Sequence, residues 1–225
     1  MKRHSGGYRR TYTFGYTCLI YHATTLFCHR FFSYKDDPLG KTSGQMIGAA
    51  RSARQNQVEA SARAGTSGRQ ENLQLDVARG SLDELAGDYE SFIIDQGEVP
   101  WSDLDPRAKE LSEIRIDQFE IGDDVLYRYG VYTQEMRKRF SQWLENVDSL
   151  VAANSILRVV HRTMALLLNQ IKANQMNSEE YQGETGFCPL CGGTLRVRIS
   201  QGKRFLGCSN YPSCRFTRSL GKGGR

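Results

Sequence analysis

Four of the six cysteines in this chain lie within its last 38 residues, at Cys188, Cys191, Cys208 and Cys214. In the spacing C-x2-C-x16-C-x5-C, the first pair can sit in a tight turn and the second pair can return to the same ion. Thiolate sulfur favours zinc over harder cations, and four such ligands leave no position for a catalytic water. We therefore expect one structural zinc ion. An iron ion on the same sulfurs and four unligated thiols are the alternatives.

The residues between the cysteine pairs predict a hairpin. Residues 194–199 alternate in the manner of a strand, 200–202 supply a turn, and 203–208 bring the chain back as an antiparallel partner. A segment of this size buries too little apolar surface to fold alone, so metal binding would supply its folding free energy. The pattern predicts a small β zinc ribbon over residues 186–219.

Positive charge is concentrated in the same segment. Residues 188–225 hold eight Lys and Arg and no Asp or Glu, whereas the whole chain has a net charge of +5, so the first 187 residues carry −3. Such asymmetry favours a polyanionic partner for the tail, nucleic acid first and an acidic membrane surface second.

The stretches CPLCGGTL and RFLGCSNYPSCRFT resemble the zinc-binding repeats at the C-terminal end of bacterial type IA DNA topoisomerases. The resemblance implies binding of DNA, preferably single-stranded, with RNA as a possibility. Arginines would follow the phosphates while aromatic rings stack on bases, although Phe205 and Phe216 could instead pack the ribbon core. The candidate nucleic-acid contacts are Arg196, Arg198, Lys203, Arg204, Tyr211, Arg215 and Arg218.

The body in front of the ribbon has the periodicity of long amphipathic helices. Three are expected at 11–33, 42–64 and 69–96, and a fourth is expected where Leu150, Leu157, Met164 and Ile171 recur at seven-residue intervals. The region 98–146 reads as an insert with short helices at 105–118 and 132–143. Cys18 and Cys28 are expected to be small buried apolar residues within the first helix. The fold class is therefore mainly α: an antiparallel four-helix bundle over 8–178 with a helical insert, followed by the ribbon.

Three stretches carry a second resemblance, SGQMIGAARSARQNQVEASARAGTS, LQLDVARGSLDELAGDYESFI and ANSILRVVHRTMALLLNQI. They resemble the four-helix-bundle proteins encoded by intervening sequences in bacterial large-subunit ribosomal RNA genes, in particular the suffix-domain variety. Relatives of that family include accessory proteins of diversity-generating retroelements, which bind reverse transcriptase and nucleic acid. The resemblance implies a protein partner or a homo-oligomer through the bundle, and it offers no catalytic residues. The polar row of the second helix could touch RNA or DNA or could simply be solvated. The row consists of Arg51, Arg54, Gln55, Asn56, Gln57 and Arg63.

These observations favour a non-enzymatic nucleic-acid-binding protein, because no cluster of acids or nucleophile–base pair stands out and fewer than 190 residues remain outside the ribbon. The alternative is a protein-interaction adaptor, for example an accessory of reverse transcriptase or topoisomerase, whose ribbon is purely structural. Residues 11–29 lack charged side chains but hold five threonines, so we expect no membrane span. The default location is the bacterial cytoplasm.

Overall fold

Six α-helices and a three-stranded sheet make up most of the chain that the computed structural model describes, which is residues 7–35, 37–64, 68–176, 186–200 and 203–219. Of Met176, Lys203 and Arg204 only the backbone is described. After a 3-10 turn at Gly7–Arg10, the helices are α1 (Tyr12–Phe31), α2 (Lys41–Arg63), α3 (Gly68–Asp95), α4 (Pro106–Glu113), α5 (Val125–Leu144) and α6 (Ser149–Met176). The strands are β1 (Leu195–Ser200), β2 (Lys203–Cys208) and β3 (Thr217–Ser219).

Four of the long helices pack in a ring, with α1 on α2, α2 on α3, α3 on α6 and α6 back on α1. Their shared core is apolar and aromatic, and Phe27 contacts the rings of Phe31, Tyr89 and Phe92. The mainly helical class is confirmed. The expected helices at 11–33, 42–64 and 69–96 agree with α1 to α3 within two residues at each end. Cys18 and Cys28 are buried in α1, as expected.

Several polar side chains inside the ring are paired across helices, whereas Gln57 Oε1 and Ser155 Oγ are buried without a hydrogen-bond partner in the described part of the chain. The Tyr89 hydroxyl and Thr24 Oγ1 lie 3.0 Å apart, and the Gln57 amide donates to Thr17 Oγ1 at 2.6 Å. The placement of Gln57 in the outer polar row of α2 is therefore wrong. Its side chain is turned into the core because a hydroxyl on α1 accepts its hydrogen bond, and a buried polar group needs such a partner.

The insert departs most from expectation. The helix expected at 105–118 is α4, which ends at Glu113, so residues 114–122 are neither helix nor strand. The helix expected at 132–143 is the longer α5, which begins at Val125. Its start was missed because the signal there is aromatic packing rather than aliphatic periodicity: the rings of Tyr129 and Tyr132 pack against Phe119 of the preceding loop.

Helix α6 is the one described helix that is long and apolar enough to cross a membrane, judged by length and composition. Within Ser149–Gln175 an 18-residue stretch has a mean hydropathy of 1.2, and 56% of that stretch is buried inside the protein. The core helices of many proteins have the same character.

Two leucines on α3 test this packing. Leu82 is fully buried and Leu73 is 58% exposed. We expect Leu82→Ala to lower the free energy of unfolding by about 2–5 kcal/mol, because it leaves a cavity, and Leu73→Ala to change it by less than about 0.5 kcal/mol. Urea denaturation followed by circular dichroism measures both. Equal losses in the two variants would contradict the placement of α3.

Candidate metal centre

The first cysteine pair lies in a tight turn closed by its own backbone. The Gly192 N–H donates to the Cys188 carbonyl at 2.8 Å, and the Cys188 N–H donates to the Gly193 carbonyl at 2.6 Å. Gly192 has a φ of 69°, in the left-handed region that favours glycine. The turn therefore directs the thiols of Cys188 and Cys191 to the same side.

The sheet delivers the second pair to that place. Strands β1 and β2 are antiparallel with Leu195 opposite Cys208, so Cys208 ends next to the first turn. The strand β3, which sequence reasoning did not foresee, pairs with β2 through Gly207 and Thr217. Cys214 lies just before β3 and is brought back by this pairing. The predicted hairpin is confirmed, and it is the inner part of a three-stranded sheet.

All four cysteine sulfurs lie within 4.8 Å of one another. The Sγ atoms are 3.6 Å apart for Cys188 and Cys214, and 3.4 Å apart for Cys191 and Cys208. A tetrahedral zinc ion with Zn–S bonds of about 2.3 Å needs sulfurs about 3.8 Å apart, so the cluster fits one zinc ion. Four converging sulfurs could hold the ion, which would act as a cross-link.

Interactions within the cluster lower the pKa of Cys191 and raise the pKa values of Cys188, Cys208 and Cys214, so Cys191 most readily supplies the thiolate that zinc requires. Hydrogen bonds from the thiols of Cys188 and Cys214 hold the pKa of Cys191 well below its usual value. A backbone N–H two residues after each cysteine also favours the deprotonated sulfur; these belong to Leu190, Gly193, Asn210 and Phe216. Such donors to sulfur orient the ligands and stabilise their charge.

Comparison with known proteins gives the type of this site. Residues 185–223 match the family model described as topoisomerase DNA binding C4 zinc finger. The C-terminal segment is a topoisomerase-type zinc ribbon. Zinc is therefore its cofactor, as expected from the cysteine spacing.

The similar curated proteins are archaeal topoisomerases. The DNA topoisomerase 1 of Archaeoglobus fulgidus is 62% identical over 92 residues, which cover 36% of this chain and 14% of the relative. That of Methanothermobacter thermautotrophicus is 30% identical over 112 residues, covering 44% of this chain and 16% of the relative. The chain thus spans about one sixth or less of the length of these relatives, and no solved structure matches it. The relationship of the body to suffix-domain bundles stays a prediction.

The zinc ribbon presents one face rich in arginine. Because paired residues in adjacent strands share a face, Arg196 and Arg198 lie on the side of Phe205, away from the buried Leu206. Arg198 crosses the bare backbone of Gly207, where a Cβ would lie 2.8 Å from its Cδ. Its guanidinium donates to the Cys208 carbonyl at 3.3 Å and lies 5.6 Å from the ring centroid of Tyr211. We call Arg196, Arg198, Phe205 and Tyr211 the arginine face.

Two of the other predicted nucleic-acid contacts, Arg215 and Arg218, do not join this face. Arg218 is paired with Leu206 in the sheet and so lies on the opposite side. Arg215 points to the helical body, where its guanidinium is 3.5 Å from Glu120. The side chains of Lys203 and Arg204 lie outside the described part of the chain. Phe216 packs against the cysteine cluster, whereas Phe205 is half-buried beside Arg198 rather than in the ribbon core.

The ribbon is held against the helical body by contacts that no sequence motif signals. The Tyr12 hydroxyl donates to the Ser213 carbonyl, and the Arg215 N–H donates to Gln118 Oε1 at 3.3 Å. Burial, and then the nearby Cys214 and Cys191, raise the pKa of Tyr12, so its hydroxyl keeps the proton that it donates. Gly192 meets α6 so closely that a Cβ there would lie 2.4 Å from the Cβ of Asn169. The ribbon is thus fixed in orientation by α1, α6 and the insert.

Zinc content tests the ligand set. We expect one equivalent of zinc per chain in the wild type and far less in Cys188→Ala, because three thiolates hold the ion much less tightly than four. Cys28→Ala is the matched control, since it also removes a buried thiol but lies in α1. Elemental analysis after dialysis against a weak chelator gives the stoichiometry, and full zinc retention by Cys188→Ala would exclude this residue as a ligand.

The close approach at Gly192 gives a second test. Gly192→Ala adds strain at a positive φ, of about 1–2 kcal/mol, and a clash with Asn169. We expect faster amide hydrogen exchange at 118–120 and 213–215 in this variant, because the ribbon separates from α6. Adding Asn169→Gly removes the clash but not the φ strain, so exchange should slow again. Unchanged exchange in Gly192→Ala would argue against the docked arrangement.

Proposed function

We propose that this protein is a non-enzymatic nucleic-acid-binding protein whose zinc ribbon grips single-stranded DNA. The observation that carries the proposal is the arginine face, where Tyr211 is 61% exposed beside the Arg198 guanidinium. An exposed aromatic ring can stack on a base while neighbouring arginines contact phosphates. The topoisomerase-type ribbon suggests nucleic-acid binding independently.

Electrostatics support the same assignment. Residues 186–219 contain no Asp or Glu, so no carboxylate within the ribbon opposes a phosphate on this face. Glu120 of the body lies next to a ribbon arginine, Arg215, but Arg215 is not on the arginine face. The arginine face is therefore open to a polyanion.

The proposal gives the helical body a supporting role in the cytoplasm. We interpret the ring of α1, α2, α3 and α6 as an antiparallel four-helix bundle that oligomerises or docks a protein partner. Several copies of a weakly binding ribbon would gain affinity through avidity. We assign no strand passage, because the matched segments are 14% and 16% of the topoisomerases and the described residues show no grouped acids with a nucleophile.

Fluorescence anisotropy with the zinc-loaded full chain tests the proposal against single-stranded DNA, duplex DNA and single-stranded RNA at two salt concentrations. We expect single-stranded DNA to bind most tightly, and Tyr211→Ala to weaken it by tenfold or more, since one base stack contributes about 1–3 kcal/mol. Arg198→Ala should weaken binding and reduce the salt slope by about 0.7, the value for one phosphate contact on a single strand.

Arg79→Ala is the control, because Arg79 is a partly exposed arginine on α3, outside the ribbon, that pairs with Asp76. Loss of binding in this variant as large as in Arg198→Ala would mean that net charge alone matters. If the wild type binds none of the three nucleic acids, the proposal fails and the adaptor hypothesis replaces it.

A further inference from the structure

A second group of arginines and aromatic rings lies on the helical body, beside the place where the ribbon docks. The Arg54 guanidinium lies 4.1 Å from the ring centroid of Tyr21. The Arg9 guanidinium lies 4.7 Å from the ring of Tyr8 and 5.5 Å from that of Tyr129. We call these five residues the body patch. We propose that the body patch is a second nucleic-acid site, which binds the strand that the ribbon holds; this inference rests on the proposed function.

The two arginines of the body patch are unpaired. Within the described ranges, neither Arg9 nor Arg54 makes an ion pair, whereas other arginines of the body do. The Nε of Arg9 is buried without a hydrogen-bond partner. An arginine with no carboxylate beside it lacks the usual partner for its positive charge. A bound phosphate would compensate that charge.

Both arginines lie near Cys18 of α1. The Cys18 sulfur is 3.5 Å from the Tyr129 hydroxyl, and the charges of Arg54 and Arg9 both act on this buried thiol. The 3-10 turn that carries Arg9 also packs against α2, which carries Arg54. The three cation–ring pairs therefore lie around the same stretch of α1, on the 3-10 turn, α2 and α5.

The Tyr21 end of the body patch lies near further positive charge. Burial, and then the charges of Arg137 and Arg54, lower the pKa of His22, the neighbour of Tyr21. The nearest acid in that group, Glu145, is engaged by Arg137 at 2.9 Å. A phosphate placed there meets uncompensated positive charge.

One end of the body patch lies close along the chain to the contact between α1 and the ribbon. Arg9 lies three residues before Tyr12, whose hydroxyl holds Ser213, and Ser213 lies two residues after Tyr211 of the arginine face. From Tyr12 to Tyr21 the distance along α1 is about 14 Å, at 1.5 Å per residue. A strand that leaves Tyr211 across this contact would meet Arg9 and then Arg54. Alternating cations and aromatic rings suit an unpaired strand, whose bases are free to stack.

Oligonucleotide length separates the two sites. The experiment measures the affinity of the zinc-loaded full chain for single-stranded DNA of about six and about twenty nucleotides, within the range of known single-strand site sizes. In Arg9→Gln/Arg54→Gln we expect unchanged affinity for the short strand. The long strand should bind about tenfold more weakly, with a salt slope reduced by about 1.4, because two phosphate contacts are lost.

The matched control is Arg79→Gln/Arg107→Gln, which removes the same charge from two arginines paired with Asp76 and Asp105. Circular dichroism and zinc content verify that each variant is folded. Arg9→Lys/Arg54→Lys keeps the charge but loses the planar stacking, so it should restore the salt slope and only part of the affinity.

Two results would overturn the inference. If the glutamine variant binds both lengths like the wild type while Tyr211→Ala still loses binding, the ribbon acts alone and the body patch is left for an acidic protein. Equal losses on both lengths would mean that the variant disturbs the ribbon rather than removing a separate site. If Tyr211→Ala is also without effect, the proposed function fails too, and the two failures are thus distinguishable.

Discussion

The convergence of four thiolates on one zinc ion is the constraint on which the ribbon depends. Its buried apolar residues are few, since the cluster around the cysteines adds only Leu195 and Leu206 as fully buried side chains among the described residues. So small a core contributes little folding free energy, and the metal supplies the cross-link between turns that lie far apart in sequence. The three-stranded sheet, the arginine face and the contacts with the body all assume that this cross-link is in place.

The body gives the ribbon a fixed direction. Contacts from α1, α6 and the insert meet the ribbon near Ser213, Gly192 and Arg215, which leaves the arginine face outside the contact. This arrangement gives the basic residues of the ribbon two different roles. One arginine is used to attach the ribbon, and two others are presented to solvent beside an exposed tyrosine.

Sequence patterns were sufficient where one local property decides the structure. The cysteine spacing identified the ribbon and its metal, and hydrophobic periodicity located α1, α2, α3 and α6. Sequence patterns did not predict features that depend on a residue far away in the chain. Gln57 is buried because Thr17 accepts its hydrogen bond, and α5 begins early because its tyrosines contact Phe119. The strand β3 forms because it pairs with the free edge of β2 at Gly207. The seven candidate nucleic-acid contacts were chosen by charge and residue type, which cannot tell a residue facing solvent from one facing the body.

The close approach of Gly192 to α6 has a consequence for how the molecule moves in an electric field. The ribbon is strongly basic and the rest of the chain is net acidic, so the separated charges form a large permanent dipole. Because the ribbon packs against α6 and α1 and is not joined to them only by a flexible linker, the torque from an approaching polyanion acts on the whole molecule. The protein would therefore arrive ribbon first, already turned so that the basic ribbon faces the polyanion.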